Sequence, residues 1–209
     1  MRVSAQDVLL VVDVQNDFCP GGALPVSDGA EVIEPIHRIA SRFQHIVLTQ
    51  DWHPAGHVSF AASHRGKQPY DSINLSYGEQ TLWPVHCVQG TEGADFHTRL
   101  KLPQAELILR KGFRAEIDSY SAFFENDRIT PTGLASYLRE RGLKRVFLAG
   151  LAYDYCVAYS ALDARRLSMP AVVIRDACRA IGLKGSVERA EAAFEKAGVS
   201  VVDASTVQR

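Results

Sequence analysis

The chain has 209 residues, of which 46% are hydrophobic, and its formal net charge is −1. This length supports one sizeable hydrophobic core without a second domain, so we expect a single domain over residues 1–209. The sequence contains no run of lysines or arginines that could follow a phosphate backbone, which argues against nucleic acid and membrane surfaces as partners.

The first residues do not resemble a secretory leader. The opening MRVSAQ leads directly into a strand-like run, and no apolar stretch approaches the ~20 residues that cross a bilayer. The four cysteines lie far apart without a C-x-x-C pair, which is typical of reduced thiols rather than of a disulfide framework. We therefore expect a cytoplasmic globular protein.

Apolar runs and amphipathic segments alternate along the chain. In chain order they predict strand Asp7–Val14, helix Ala30–Phe43 with Asp28 as its N-cap, strands Ile46–Thr49 and Glu106–Leu109, helix Thr132–Arg141, strand Val146–Leu148, helix Cys156–Leu167, strand Ala171–Ile174, helix Ser186–Ala197 and strand Val199–Val202. This alternation is typical of a three-layer, Rossmann-like α/β fold, in which a six-stranded, mainly parallel sheet carries helices on both faces.

Reactive side chains follow four of the predicted strands. Asp13 ends the first strand, Asp51 and His53 follow the second, Lys111 follows the third and Cys156 follows the fourth. Each has an ordinary alternative, since an aspartate after a strand is often a helix cap and a lysine is often solvated. However, parallel sheets place their functional sites at the carboxyl ends of their strands. We therefore expect these side chains to meet at one edge of the sheet.

Cys156 lies at the start of the helix that follows the fourth predicted strand. The free N–H groups and the positive dipole end of a helix start can stabilise a thiolate and can also hold an oxyanion. The sequence therefore suggests a nucleophilic cysteine. The alternative is that Cys156 is a small buried apolar side chain, which is the more common fate of a free cysteine.

The stretch from about 52 to 103 has no clear periodicity, although it is rich in aromatic residues. We interpret it as an active-site cover rather than as a disordered segment. Asp51 and His53 lie on the same side of an extended chain, and a third ligand from this loop, His86 or His57, would complete an open site for zinc, iron or manganese. The alternative is that the histidines only form hydrogen bonds within the loop.

Five motifs occur in order over nearly the whole chain. They are VVDVQNDF (Val11–Phe18), TQDWHPAGHVSF (Thr49–Phe60), WPVHCVQGTEGADFH (Trp83–His97), RKGF (Arg110–Phe113) and GLAYDYCV (Gly150–Val157). Together they resemble the nicotinamidase/pyrazinamidase enzymes of the isochorismatase-like cysteine hydrolases. The resemblance implies hydrolysis of nicotinamide to nicotinate and ammonia through a thioester intermediate, with pyrazinamide as a second substrate and NAD salvage as the setting.

The resemblance also implies the catalytic residues. It makes Asp13, Lys111 and Cys156 the catalytic triad, and it assigns the oxyanion hole to the N–H groups of Ala152 and Cys156, beside a cis peptide between Leu151 and Ala152. In that scheme Asp13 exchanges the proton of the thiol and of the leaving ammonia. The helix start and the Lys111 cation are expected to lower the pKa of the thiol.

The resemblance further implies a substrate slot and a metal site. Phe18, Trp83 and Tyr120 would line the slot for a flat pyridine ring. Asp51, His53 and His86 would bind one divalent metal ion, with zinc expected first and iron or manganese as alternatives, and His57 is a further ligand in some members. The partner is then a small molecule, and the large apolar loops suggest a homodimer.

Three other hypotheses stay open. The chain could belong to another branch of the superfamily, although isochorismatases lack the cysteine and carbamoyl-amide hydrolases lack the metal triplet. It could be a metallohydrolase in which Cys156 is only structural. It could also be a non-catalytic binding module, but no glycine-rich G-x-G-x-x-G motif follows the first strand, where Gln15-Asn16-Asp17 stands instead.

Overall fold

A six-stranded sheet forms the centre of the computed structural model, which describes all 209 residues. Its strands, in spatial order, are β5 (Leu107–Lys111), β2 (His45–Asp51), β1 (Asp7–Val12), β6 (Arg145–Leu151), β7 (Ala171–Arg179) and β8 (Ser200–Val202). All neighbouring pairs in this sheet are parallel. The predicted fold class is therefore confirmed.

Helices cover both faces because the strands alternate their apolar side chains. On β1, Leu9 and Val11 face the core that α1 (Ile33–Ala40) covers. Their neighbours Val8, Leu10 and Val12 face the second core. That core is covered by three helices, which are α2 (Leu134–Glu140), α3 (Ala158–Arg166) and α4 (Ser186–Ala197).

The strand order reverses between β1 and β6, which lie side by side at the centre of the sheet. From β1 the chain continues outward through β2 to β5, and from β6 it continues through β7 to β8 on the other side. The loops after β1 and β6 therefore leave in opposite directions. A crevice opens at such a reversal, at the carboxyl ends of the strands.

Several element boundaries differ from the prediction. β1 ends at Val12, because Asp13 adopts a left-handed conformation with φ 47°. The predicted helix Ala30–Phe43 is shorter, since α1 is preceded by a 3₁₀ turn, and Asp28 makes no side-chain capping hydrogen bond. The predicted helix at Cys156 begins earlier, with a π-helical turn over Tyr153–Val157 that runs into α3.

The long loop before β5 contains structure that its composition did not predict. Within it, β3 (Ser72–Leu75) and β4 (Gly78–Thr81) form a separate antiparallel hairpin. No helix of the chain has the length and apolar character that crossing a membrane requires. All four cysteines are free and buried.

Candidate active site

Lys111 is the centre of the site at the carboxyl edge of the sheet. It is the last residue of β5 and is fully buried. Its Nζ lies 2.9 Å from Asp13 Oδ2 and 3.4 Å from Cys156 Sγ, and it also pairs with the Asp51 carboxylate. A further hydrogen bond, at 2.9 Å, goes to the Ser119 carbonyl. The structure thus brings the three predicted triad residues together.

Asp13 is held in place by the neighbouring strand. Thr49 on β2 donates its hydroxyl to Asp13 Oδ1 at 2.6 Å and accepts the Asp13 backbone N–H at 3.2 Å. Burial raises the pKa of Asp13 to about 6, although the Lys111 cation acts in the opposite direction. A carboxylate with such a pKa is ionised near neutral pH and can still accept a proton.

The two carboxylates that share Lys111 differ in their electrostatics. Burial alone would raise the pKa of Asp51, but Lys111 and His53 outweigh burial and lower it. In turn, Asp13 and Asp51 hold the pKa of Lys111 well above its usual range, against the effect of burial. The structure therefore favours a charged lysine between a permanently ionised Asp51 and an Asp13 that can exchange a proton.

The thiol of Cys156 does not have the lowered pKa that the sequence led us to expect. Burial raises its pKa well above the usual range, and the nearby Asp13 and Asp51 carboxylates add to that effect, while Lys111 opposes it. The resting nucleophile is therefore a protonated thiol. Its proton has to move to a base during the reaction, and the Asp13 carboxylate lies within 4.8 Å.

Asp51, His53 and His86 form a buried group whose ligand atoms lie within 4.8 Å of one another. Asp51 Oδ2 is 3.6 Å from His53 Nε2 and 4.0 Å from His86 Nε2. Ligands that bind one ion at about 2 Å are separated by roughly 3–4 Å, so these separations suit a single metal ion.

The two histidines are oriented by backbone carbonyls behind them. His53 donates its Nδ1–H to the Gly112 carbonyl at 2.8 Å, and His86 donates its Nδ1–H to the Pro84 carbonyl at 2.8 Å. Both rings therefore turn the lone pair of Nε2 toward Asp51. Metal-binding histidines typically have this second hydrogen bond. Burial and the neighbouring His53 lower the pKa of His86 to about 4, which keeps it neutral.

His57 lies beside this group but uses its nitrogens elsewhere. Its ring centroid is 4.3 Å from that of His53. His57 Nδ1 is 2.7 Å from the Ser59 hydroxyl, and Nε2 is 3.2 Å from the Ile117 carbonyl. Its ligand atom also lies within 4.8 Å of those of His53 and Asp118, so His57 as a further metal ligand stays a prediction.

A pocket opens between the metal group and Cys156. The predicted wall residues Phe18, Trp83 and Tyr120 all line it, as do Ala152 and Cys156. Trp83 donates its indole N–H to the Tyr120 hydroxyl at 3.0 Å, which fixes the two rings relative to each other. The peptide bond between Leu151 and Ala152 is cis, as the resemblance implied.

Four further residues, which were not predicted from the sequence, also line the pocket. They are Leu24, Asp118, Tyr155 and Ile181. Asp118 is buried and accepts a hydrogen bond from Gln80 at 2.9 Å. In the sequence it is one acid among several in a stretch without periodicity, so nothing marks it as a pocket residue. Tyr155, unlike Asp118, could have been predicted as a pocket residue, because it is next to Cys156 in the sequence.

Comparison with known proteins gives a consistent family match. The model of the isochorismatase domain matches residues 7–206. A nicotinamidase of Acinetobacter baylyi is 50% identical over 207 residues, which are 99% of this chain and 97% of that protein.

Solved structures extend the similarity to the fold. The structure of an Acinetobacter baumanii nicotinamidase/pyrazinamidase has a TM-score of 0.96 at 51% identity, covering 97% of this chain and 98% of that one. PnC1 from L. infantum, in complex with nicotinate, has a TM-score of 0.87 at 37% identity, covering 100% and 98%. The pyrazinamidase of Pyrococcus horikoshii, in complex with zinc, has a TM-score of 0.76 at 36% identity, covering 95% and 99%.

Proposed function

Because this chain belongs to the isochorismatase family, we propose that it is a nicotinamidase, an amidohydrolase that converts nicotinamide to nicotinate and ammonia. One observation carries the proposal. Asp13, Lys111 and Cys156 converge directly beside Asp51, His53 and His86, and Cys156 and the three metal-binding residues line one pocket. A nucleophile with a proton acceptor, beside a metal-binding group, is what hydrolysis of an unreactive primary amide requires.

The first half of the reaction forms a thioester. Asp13 accepts the thiol proton while Cys156 Sγ attacks the amide carbon, so that the carbonyl oxygen becomes an oxyanion. The N–H groups of Ala152 and Cys156 receive that oxyanion, an interaction worth about 3 kcal/mol for each donor. Asp13 then returns the proton to the nitrogen, the C–N bond breaks and ammonia leaves.

The second half hydrolyses the thioester. Asp13, again ionised, removes a proton from water as the water oxygen attacks the acyl carbon. The C–S bond then breaks, Asp13 returns the proton to the sulfur, and the carboxylic acid product loses its own proton to water and leaves as nicotinate. Throughout, Lys111 remains charged and holds Asp13 at hydrogen-bonding distance, 2.9 Å.

The donor set of Asp51, His53 and His86 fits one divalent transition metal, because it offers a carboxylate and two imidazoles whose Nε2 atoms lie near that carboxylate. When bound, the ion supplies a Lewis-acidic centre at the pocket wall that can hold the ring nitrogen of the substrate. We propose zinc, since this set is one that zinc commonly takes and the Pyrococcus horikoshii pyrazinamidase was solved with zinc. Phe18, Trp83 and Tyr120 then enclose the ring.

The same pocket should accept pyrazinamide, which has the same flat ring and amide. The four free cysteines fit a reducing compartment, so we place the protein in the cytoplasm. We take residues 1–209 as one domain, which is supported by a sheet whose strands extend from Asp7 to Val202. The homodimer stays a prediction.

The test is ammonia release from nicotinamide by the wild type, by Cys156→Ala and by Cys178→Ala, each with and without a chelator. Cys178 is a matched control, because it is also a buried free cysteine but does not line the pocket. We expect Cys156→Ala to abolish turnover, Cys178→Ala to retain it, and the chelator to remove it.

Other outcomes separate the alternative hypotheses. Activity that survives Cys156→Ala but not the chelator would make Cys156 structural and the protein a metallohydrolase. A folded, metal-loaded wild type that releases no ammonia from nicotinamide or pyrazinamide would contradict the substrate. It would then point to another amide within the family.

A further inference from the structure

Gln15 continues the β-ladder beyond the end of β1. That strand stops at Val12, whereas its neighbour β2 continues to Asp51. The Gln15 side chain fills the missing place, because Oε1 accepts the Asp51 backbone N–H at 2.8 Å and Nε2 donates to the Asp51 carbonyl at 2.9 Å. The second Nε2 hydrogen goes to the Ala94 carbonyl at 2.8 Å.

This arrangement leaves Asp51 held from both sides. Toward the sheet edge, Asp51 is in register with Lys111 on β5. Toward β1, the amide of Gln15 is its backbone partner, and that amide is fully buried with both hydrogens and its oxygen in use. The backbone of a metal-binding carboxylate is thus fixed by a side chain.

Asp17, two residues further, acts on the loop that carries His86. Its Oδ2 accepts the backbone N–H of Cys87 at 2.7 Å, and its Oδ1 accepts the N–H of Ala23 at 3.1 Å. Cys87 follows His86 directly and adopts a positive φ of 46°, which is unfavourable for a side chain of its kind. The Asp17 carboxylate therefore stabilises a strained backbone next to a metal-binding histidine.

We propose that Gln15 and Asp17 are positioning residues of the metal site, acting through the backbones of Asp51 and Cys87. The inference rests on the proposed metal site. Alternate residues of the loop after β1 then have successive roles. Asp13 is the proton acceptor, Gln15 positions the backbone of Asp51, and Asp17 positions the loop that carries His86. Residues that orient metal ligands typically change metal affinity 10–100-fold when they are replaced.

The first experiment compares Gln15→Met with Gln50→Met. Gln50 is a matched control, since it is also buried and its side chain also donates to the Ala94 carbonyl, at 2.8 Å, but makes no hydrogen bond to Asp51. The dissociation constant of Zn²⁺ is measured by competition with a chromophoric chelator. We expect roughly 10–100-fold weaker binding for Gln15→Met. Gln50→Met should stay within about threefold of the wild type, because it leaves the ligands in place.

A second pair tests the His86 side. Asp17→Ala removes the acceptor for Cys87, whereas Asn16→Ala removes a side chain that bonds only the Glu92 carbonyl, at 2.8 Å. We expect Zn²⁺ affinity to fall about tenfold in Asp17→Ala and to stay near the wild-type value in Asn16→Ala. The melting temperature of each metal-free variant is measured beside it. If a substitution only weakened the fold in general, the melting temperature would fall. The Zn²⁺ affinity would then be the same in each variant and its control.

The outcomes distinguish this inference from the proposed function. If the wild type binds Zn²⁺ and Gln15→Met and Asp17→Ala bind it equally well, the positioning role is wrong. Weakening that is equal in the Gln15 and Gln50 variants would also overturn it. If the wild type binds no metal, the metal site itself fails. If Gln15→Met does not fold, the comparison of Asp17→Ala with Asn16→Ala tests the positioning role.

Discussion

Lys111 has an unusual position for a cation, because it is fully buried between two carboxylates. Removing one member of a buried ion cluster leaves the remaining charges without compensation, which typically costs about 3–5 kcal/mol. We therefore expect Lys111→Met to lower the free energy of unfolding by about that amount and to abolish amide hydrolysis. Urea denaturation of the metal-free protein measures the first effect, and ammonia release measures the second.

The double variant Lys111→Met/Asp13→Asn provides the control for this prediction. It removes one of the two unpaired charges, so part of the lost stability should return, while activity should not. If Lys111→Met and the wild type unfolded at the same urea concentration, Lys111 would not be the compensating charge of this cluster.

Gly112 is a second residue whose identity the site requires. It adopts a φ of 63°, and a Cβ there would lie 2.7 Å from His53 Nδ1. Gly112→Ala should therefore push the His53 ring out of place and weaken Zn²⁺ binding by at least about tenfold. The measurement is the same chelator competition.

Gly66→Ala is the matched control for Gly112→Ala. Gly66 also has a positive φ, 77°, but a Cβ there would meet no atom within 4 Å. Both variants suffer similar backbone strain, and only one has the clash. Equal Zn²⁺ affinity in the two variants would show that the Gly112 contact does not position His53.

At the scale of elements, the periodicity of apolar residues predicted the strands of the main sheet but not the irregular backbone segments or the small hairpin. The apolar runs identified all six strands of the sheet. Such runs are required in β1, β2 and β6, which are buried on both faces, whereas the edge strands β5 and β8 are partly exposed. The left-handed conformation of Asp13 and the π-helical turn over Tyr153–Val157 have no periodic signal. The β3–β4 hairpin gives only a weak signal, because polar and apolar residues alternate over just four residues in β3 and β4 has no apolar side chain.

The turn that carries Cys156 is tied to the loop between β7 and α4 through Asp154. The buried Asp154 carboxylate accepts the N–H groups of Ile181 and Gly182, each at 2.9 Å, and the Ser186 hydroxyl. Ile181 lines the substrate pocket. One carboxylate thus connects the nucleophile turn to a second segment that lines the pocket.

Asp154→Ala should loosen that wall. We expect the KM for nicotinamide to rise severalfold with a smaller fall in kcat, because Ile181 loses its anchor while the triad keeps its contacts. Asp163→Ala is the control, since Asp163 lies on the adjoining helix α3 and pairs only with the exposed Arg166 at 3.1 Å. An unchanged KM in Asp154→Ala would argue against a role for this connection in substrate binding.

For the molecule as a whole, the position of the site follows from topology. Four strand ends, those of β1, β2, β5 and β6, bring Asp13, Asp51, Lys111 and Cys156 to the edge where the strand order reverses. A rule about parallel sheets predicted that meeting from the sequence. It could not predict that burial raises the pKa of Cys156, or that His57 uses its nitrogens in hydrogen bonds, because both depend on packing of the loops.

Burial of a single acid also affects how the stability of the whole molecule depends on pH. Glu125 is buried, and Arg114, the cation that forms an ion pair with it, has a half-exposed side chain 3.4 Å away. Its Oε2 has no hydrogen-bond partner. Burial raises the pKa of Glu125 from its ordinary value of 4.5 to about 7, and Arg114 only partly opposes this effect. The folded state therefore prefers the protonated form.

The sign of the pH effect follows from that preference. The stability contribution of a group whose folded pKa is raised is fully present below pH 4.5 and is lost as the pH rises toward about 7. Glu125→Gln mimics the protonated form, so it should unfold like the wild type at pH 4.5. At pH 8 it should be more stable by about 1–2 kcal/mol, a value reduced for solvent screening near Arg114. Urea denaturation of both proteins at the two pH values measures this difference, and a difference that did not change with pH would mean that Glu125 is ionised in the folded protein throughout.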